Sequence, residues 1–240
     1  PNVEAIFVPA HSKVDLRTLT RLQPQSVRHV VLGHEISEPT FSAMERQLQG
    51  TRMLDLSGPE CSRLSDAGLG ELAKISGLCD TLEAVFTDPG NEQITEEALL
   101  QLQAKCSRCK CVLLGREISV ASFVRLRTEA TDTQRVDLTS EDYAAVTAKG
   151  LSELGALFPQ LVAVFTSPRT LSAESVEVIR LSLPTVRCLQ LGRQVSADTY
   201  ADMERQLDET RMLDLTSEAC SAITDAGLAE IVHIPGLCGN

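Results

Sequence analysis

The sequence MERQLQGTRMLDL at residues 44–56 returns as MERQLDETRMLDL at residues 203–215, with eleven of thirteen positions identical. A second motif occurs at shorter intervals: VEAIF begins at Val3, LEAVF at Leu82 and LVAVF at Leu161, so consecutive copies are 79 residues apart. Motifs that recur at a fixed interval are the signature of a repeat architecture. The chain therefore consists of three copies of one block.

Each block divides into three smaller repeats. A repeat begins with an apolar-x-x-apolar-x-apolar segment and continues with an apolar residue, a Ser, Thr or Asp, and an apolar pair spaced i, i+3. A Ser, Thr or Asp at this point can accept a hydrogen bond from a free amide in the first turn of a helix. The nine predicted helix starts are Val14-Asp15, Ile36-Ser37, Leu64-Ser65, Ile94-Thr95, Ile118-Ser119, Val146-Thr147, Leu171-Ser172, Val195-Ser196 and Ile223-Thr224.

The first half of each repeat predicts a short strand. Leu54 and Leu56 alternate with Asp55, and a strand points alternate side chains to opposite faces. Asp55 should therefore face away from the core. The equivalent outward residues of the other two blocks are Asp137 and Asp214.

The middle repeat of each block is the shortest, and a glycine follows its predicted strand. These glycines are Gly33, Gly115 and Gly192. Either a small residue or positive φ at this point helps a chain turn within four residues. The sequence therefore predicts a tight turn from strand to helix at each of them.

Two stretches resemble the leucine-rich-repeat family, in its cysteine-containing and ribonuclease-inhibitor-like forms: MLDLSGPECSRLSDAGLGELAKISGLC from Met53 and MLDLTSEACSAITDAGLAEIVHIPGLC from Met212. The resemblance implies an α/β fold, with one leucine-rich-repeat domain over residues 1–240 and about nine repeats in three blocks of three. It implies a right-handed solenoid arc with a parallel β-sheet on the concave side and α-helices on the convex side. Because neither end carries a polar capping repeat, we expect the array to continue in a longer protein.

The concave face of such an arc is the candidate binding site. If the apolar positions point inward, one phenylalanine in every third repeat points outward, among the outward aspartates. Aromatic anchors in an acidic surround suit a protein or peptide partner with a basic surface. The predicted partner-binding residues are Phe7, Phe86, Phe165, Asp55, Asp137 and Asp214.

A second strand register is also compatible with the sequence. A slip of one residue would move Ala84 and Phe86 into the core and turn Glu83 and Val85 outward. The pattern alone leaves both registers open.

Composition limits the classes of function. The chain has 22 basic and 33 acidic residues, and its formal charge of −11 repels nucleic acids and anionic lipid surfaces. No apolar run approaches the roughly 18 residues of a membrane-spanning helix, and the first residues do not form a signal peptide. Eight scattered cysteines and the absence of an Asn-x-Ser/Thr acceptor favour a cytoplasmic (intracellular) location over an extracellular one.

No residue set predicts catalysis or a cofactor. The motif Cys106-Ser-Arg-Cys109-Lys-Cys111 offers closely spaced thiols, but a zinc site needs four ligands and no second Cys pair or His follows at a suitable spacing. Core and turn cysteines are the favoured interpretation, with a disulfide or a metal site as the alternative. The chain has no Gly-rich phosphate loop and no Ser, His and Asp pattern.

These features predict a non-catalytic scaffold that recognises a macromolecular partner through the concave face and the strand-to-helix loops. One alternative is a structural spacer in an assembly, since duplicated blocks extend an array. Another is the substrate-recruiting part of a larger protein, such as a ubiquitin-ligase adaptor or an innate sensor. This last alternative rests on fold analogy alone.

Overall fold

The computed structural model of the chain describes residues 3–9, 12–21, 27–75, 77–167, 169, 171–234 and 237. The chain divides into two compact units, Pro1–Arg116 (unit 1) and Glu117–Asn240 (unit 2). Each unit has an apolar core of its own.

In the described part of unit 1, the strands are β1 (Met53–Leu56) and β2 (Ala84–Thr87). The helices are α1 (Leu16–Arg21), α2 (Val31–Glu35), α3 (Glu38–Thr51), α4 (Asp66–Leu72), α5 (Leu78–Thr81), α6 (Glu96–Lys105) and α7 (Leu114–Glu117), which ends at the first residue of unit 2. A 3-10 turn, Pro59–Cys61, follows β1.

In the described part of unit 2, the strands are β3 (Arg135–Leu138) and β4 (Ala163–Thr166). The helices are α8 (Val120–Thr133), α9 (Ala148–Leu157), α10 (Ala173–Ser182), α11 (Gln190–Gln194), α12 (Ala197–Thr210) and α13 (Asp225–Ile231). The 3-10 turns are Glu141–Tyr143 and Glu218–Cys220.

The two sheets are built alike. Strand β1 pairs in parallel with β2, with Met53 opposite Ala84, and β3 pairs in parallel with β4, with Arg135 opposite Ala163. In each pair the third repeat of one block supplies the first strand and the first repeat of the next block supplies the second. The block repeat is thus visible in the strand pairing.

The leucine-rich-repeat solenoid expected from the sequence is wrong. Nine leucine-rich repeats need nine strands, whereas the described residues form four strands in two separate two-stranded sheets. The middle repeats account for most of the difference. Their predicted strands make one isolated bridge each, at His29, Cys111 and Cys188, and then continue as α2, α7 and α11. Residues 212–215, the predicted strand of the last repeat, are also unpaired in the described part of the chain.

The middle-repeat helices lie directly on the backbone of the preceding repeat, and a glycine makes this approach possible. A Cβ added to Gly115 in α7 would lie 2.0 Å from the carbonyl oxygen of Val85 in β2. Gly33 in α2 stands in the same relation to the carbonyl oxygen of Ile6, also at 2.0 Å. The expectation of positive φ at Gly33, Gly115 and Gly192 is therefore wrong, whereas the expectation that a small residue is needed there is confirmed. They lie in helices without positive φ, and what they supply is room.

All nine predicted helix starts are confirmed. A helix begins directly after each predicted Ser, Thr or Asp. In seven of the nine, the Ser or Thr side chain accepts a hydrogen bond from the amide three residues further on. At α6, for example, the Ala98 N–H donates to Oγ1 of Thr95 at 3.2 Å. At these seven helices the start is set by local chemistry.

In unit 1, α2 and α4 cap each other. Buried Glu71 of α4 accepts the Leu32 N–H at the start of α2, at 2.8 Å from Oε2. Glu35, the last residue of α2, accepts the N–H of Ser65 before α4 at 3.0 Å and also its hydroxyl proton. Each carboxylate thus satisfies free amides at the N-terminus of the other helix. Gly68 leaves room, since a Cβ there would lie 1.9 Å from Oε2 of Glu35.

Unit 2 repeats this arrangement between α11 and α13. The N–H groups of Gln190, at 2.6 Å, and of Leu191 donate to the carboxylate of buried Glu230. Burial raises the pKa of Glu230, and these amides only partly offset the effect. In the other direction Gln194 replaces glutamate: its Oε1 accepts the Thr224 N–H at 2.9 Å and its amide donates to Oγ1 of Thr224. A neutral side chain therefore makes both bonds.

A side chain covers the outer edge of each third-repeat segment. The amide in the middle of the segment donates to a residue eight positions earlier, on the helix that precedes it. A sheet edge whose amides are occupied in this way cannot extend to a further strand there. The three bonds are Asp55 N–H to Gln47 Oε1 at 3.1 Å, Asp137 N–H to Glu129 Oε2 at 3.2 Å and Asp214 N–H to Gln206 Oε1 at 2.9 Å.

The glycine contact yields a first prediction. Gly115→Ala should lower the free energy of unfolding by about 1–3 kcal/mol, because the added methyl group forces α7 off the backbone of β2. Gly70→Ala is the matched control, since Gly70 lies in α4 with nothing within 4 Å of an added Cβ. It should raise stability by about 0.5–1 kcal/mol. Urea unfolding followed by circular dichroism measures both, and equal effects of the two variants would contradict the close approach of α7 to β2.

The reciprocal caps yield a second prediction. Burial raises the pKa of Glu35, so the folded state holds its proton more tightly than the unfolded state does. Its contribution to stability is present below the unfolded pKa and lost as the pH rises through the folded pKa. Glu35→Gln keeps both bonds to Ser65, as Gln194 does with Thr224, and removes this loss. The free energy of unfolding of Glu35→Gln, relative to that of the wild type, should therefore be higher at about pH 8 than at about pH 4.

Glu35→Ala serves as the control for the second prediction. It loses both bonds and should be destabilised by about 1–3 kcal/mol, because the Ser65 amide is left without an acceptor. Chemical denaturation at both pH values gives the comparison. A Gln variant that tracks the Ala variant would show that the negative charge itself holds the two helices together.

Candidate functional site

Two of the three phenylalanines expected on an exposed face lie in the core. Phe86 is 1% exposed and Phe165 is 0% exposed, so the prediction that they point outward as anchors is wrong. Phe7 is half-buried, and its ring packs edge-to-face on Phe41 of α3 with centroids 5.7 Å apart. Phe165 makes the same contact with Tyr200 of α12, at 5.4 Å.

These rings are buried because β2 and β4 are covered on both faces. All four residues of each strand are buried. The alternative register is therefore right for Ala84 and Phe86, which pack inward, and wrong for Val85, which is buried as well. The face expected to be concave and open is occupied by the helices of the middle repeats, α7 on β2 and α11 on β4.

The aspartates expected to surround these rings terminate the third-repeat segments. Oδ1 of Asp55 accepts the N–H of Ser57 at 3.0 Å and its hydroxyl at 2.6 Å. Asp137 and Asp214 make the same pair of bonds with the threonines two residues on. Bonds from Thr216 lower the pKa of Asp214. The structure gives these carboxylates a local role in the turn, and Asp214 is the one that is exposed.

The cysteine motif is buried. Cys106, Cys109 and Cys111 are all core residues, and the Cys109 N–H donates to the carbonyl oxygen of Cys106 at 2.8 Å. Within the described residues, no group of three or more His, Cys, Asp or Glu side chains could hold a metal ion. Sequence reasoning missed Cys79, whose sulfur lies against that of Cys106 although 27 residues separate them.

The last repeat of unit 2 presents an apolar surface, which we call the end face: Met212, Leu213, Leu215, Ile223, Leu228 and Val232. Leu213, Leu215 and Ile223 are half-buried, and the other three are exposed. They include three of the large exposed apolar side chains of the described chain. An exposed apolar cluster of this kind is a candidate interaction site.

The same surface is covered in unit 1. The equivalent residues there are Met53, Leu54, Leu56, Leu64, Leu69 and Ala73, and the four leucines are buried. Leu69 is 1% exposed, whereas its counterpart Leu228 is 46% exposed. The cover consists of β2, which pairs with β1, and α6, which packs on α4. A strand followed by a helix is therefore what this surface accommodates.

A repeated sequence segment shows that the end face and the covered surface of unit 1 are equivalent, but it does not predict that the end face is exposed. The residues MLDL are identical at 53–56 and 212–215. This identity predicts that Leu213 and Leu215 are as deeply buried as Leu54 and Leu56. The structure shows that the identical residues differ in exposure, since exposure depends on the strand and helix that pack against them.

Comparisons with known proteins provide no relative: no family model, no curated protein and no solved structure matches the chain. No helix among the described residues is long and apolar enough to span a membrane. The surface of the chain itself is therefore the guide to its function.

The contrast between the two faces yields a third prediction. Leu69→Lys places an ammonium group in the core of unit 1 and should lower the free energy of unfolding by about 3 kcal/mol or more. Leu228→Lys, the same change at the equivalent position, should shift it by about 0.5 kcal/mol or less, because that side chain is already in contact with water. Urea unfolding of both variants, at a protein concentration at which the chain is monomeric, measures the contrast, and comparable losses would mean that the end face is covered within one molecule.

Proposed function

We propose that this chain is a non-catalytic protein-binding module whose end face accepts a parallel strand and helix from another protein molecule. One observation carries the proposal: the end face repeats, position for position and with an apolar residue at each, a surface that β2 and α6 cover in unit 1. Unpaired strand segments bind extended chains by adding them to the sheet, with backbone bonds for affinity and apolar contacts for specificity. A partner presenting a β2-like strand meets both requirements.

A second copy of the chain presents such a strand. Residues 3–8, VEAIFV, have the pattern of the β2 segment LEAVFT. Val3 is exposed, whereas its counterpart Leu82 is buried. If the register of β1 and β2 is kept, Met212 of one copy lies opposite Ala5 of the other. Two different surfaces then meet, and this type of contact joins copies head to tail.

Charge distinguishes this partner from a basic one. The chain carries a formal charge of −11, so two copies repel each other. This repulsion is felt within about one Debye length, which becomes shorter as the salt concentration rises. Their association through an apolar face should strengthen when salt screens this repulsion. Binding of a basic protein to the acidic surface, which the sequence also suggested, should instead weaken with salt.

Sedimentation velocity over a concentration series provides the fourth prediction. The intact chain should self-associate, and more strongly at about 0.5 M than at about 0.05 M NaCl. Leu228→Lys should raise the dissociation constant about 10- to 100-fold, because it removes the burial of one leucine side chain. Leu181→Lys is the matched control: Leu181 is 84% exposed on α10, outside the end face. It should leave association unchanged.

A crosslinking experiment tests the orientation of the two copies. Benzoylphenylalanine in place of Met212 should, on illumination, crosslink one copy to the tryptic peptide that contains residues 3–8 of another. A chain that stays monomeric at every concentration and salt would contradict the proposal. Equal effects of Leu228→Lys and Leu181→Lys would contradict the site, and crosslinks to other segments would contradict the register.

A further inference from the structure

Two cysteines from different repeats of unit 1 have their sulfur atoms in contact. Sγ of Cys79 on α5 lies 2.6 Å from Sγ of Cys106, the residue that follows α6. This separation is much nearer to the bond of about 2.05 Å in a disulfide than to an ordinary nonbonded contact of two sulfur atoms. Both residues are free thiols in this structure. We propose that Cys79 and Cys106 are an oxidation site that closes to a disulfide.

The two thiols differ in their access to solvent. Cys106 is buried, and burial is the main reason why its pKa is raised. Cys79 is partly exposed. Because a thiolate that meets the oxidant must reach solvent, Cys79 reacts first and Cys106 resolves the intermediate. The pair thus has the two parts of a redox site, an accessible cysteine and a resolving one.

The fold does not require cysteine at position 106. In unit 2 the equivalent residue is Leu183, which follows α10 as Cys106 follows α6. Leu183 is buried and apolar. An apolar side chain therefore fills the place of Cys106 in unit 2, so packing alone does not explain why a thiol meets Cys79 in unit 1.

The reaction balances with a disulfide oxidant such as oxidised glutathione. The Cys79 thiolate attacks one sulfur of the oxidant and releases one glutathione thiolate, leaving a mixed disulfide on Cys79. Cys106 then attacks the Cys79 sulfur and expels the second glutathione, which takes up the Cys106 proton. Two protein thiols are oxidised to one disulfide, and one glutathione disulfide is reduced to two thiols. The product links α5 to the end of α6, around β2.

Peptide mapping gives the fifth prediction, because trypsin separates the candidate cysteines. Cleavage after Lys74, Lys105, Arg108 and Lys110 leaves Cys79, Cys106 and Cys109 on three different peptides. After incubation of the intact chain with oxidised glutathione and blocking of free thiols, residues 75–105 should be found linked to residues 106–108. Dithiothreitol should release the two peptides.

Stability provides an independent readout. The oxidised chain should unfold at a higher urea concentration than the reduced chain, because the crosslink closes a 27-residue separation and restricts the unfolded state. The increase should be absent in Cys79→Ala, and this variant should fold because the side chain it shortens is partly exposed. Cys220→Ala, at a buried cysteine of unit 2, should keep the increase, as the matched control.

Three outcomes would overturn the proposal. The first is a link between residues 106–108 and 109–110, which would show that Cys109 is the partner of Cys106. The second is a stable glutathione adduct on Cys79, which would show that Cys106 does not resolve it. The third is a Cys79 thiol that stays unmodified while the glutathione disulfide oxidises other cysteines of the same chain.

Discussion

The contact between a glycine and a bare strand backbone is the constraint on which this structure depends. In α7, Gly115 lies so close to the carbonyl oxygen of Val85 that no side chain fits between helix and strand. The helix therefore covers the strand face that a leucine-rich repeat would leave open. Two-sided burial of β2 is the consequence, and so is the burial of Phe86. Gly33 makes the same close contact with the carbonyl oxygen of Ile6, so the arrangement recurs in the middle repeats of two blocks.

The reciprocal caps and the covered sheet edges belong to the same architecture. Glu71 and Glu230 bind the amides at the start of α2 and α11, which holds these short helices in place over the strands. A helix of five residues is too short to be stable alone. Gln47 occupies the outer edge of β1 and stops the sheet from continuing. A sheet of two strands in each unit is the result.

The repeat explains how one surface can be core in one place and exposed in another. Residues 53–56 and 212–215 are identical, yet only the first segment pairs with a strand in the described chain. The leucines of such a segment are buried by the strand and helix of the next repeat. Each block therefore ends in an apolar surface of this kind. A strand like β2, from the start of a block, is the element that fits it. This complementarity motivates a head-to-tail partner for an acidic chain.

Neighbouring residues along the chain were enough to predict the three-block period, all nine helix starts and the positions of the strands β1 to β4, since capping and alternation are local properties. They were not enough to predict the cover of the strand faces. Whether a segment such as residues 111–114 pairs as a strand or turns into a helix depends on contacts with distant residues. The folded chain alone reveals that Gly115 meets Val85, that Phe86 is core, and that Leu228 stays exposed while Leu69 is buried. Segments with the same local sequence pattern differ in burial, because burial depends on the element that packs against each of them.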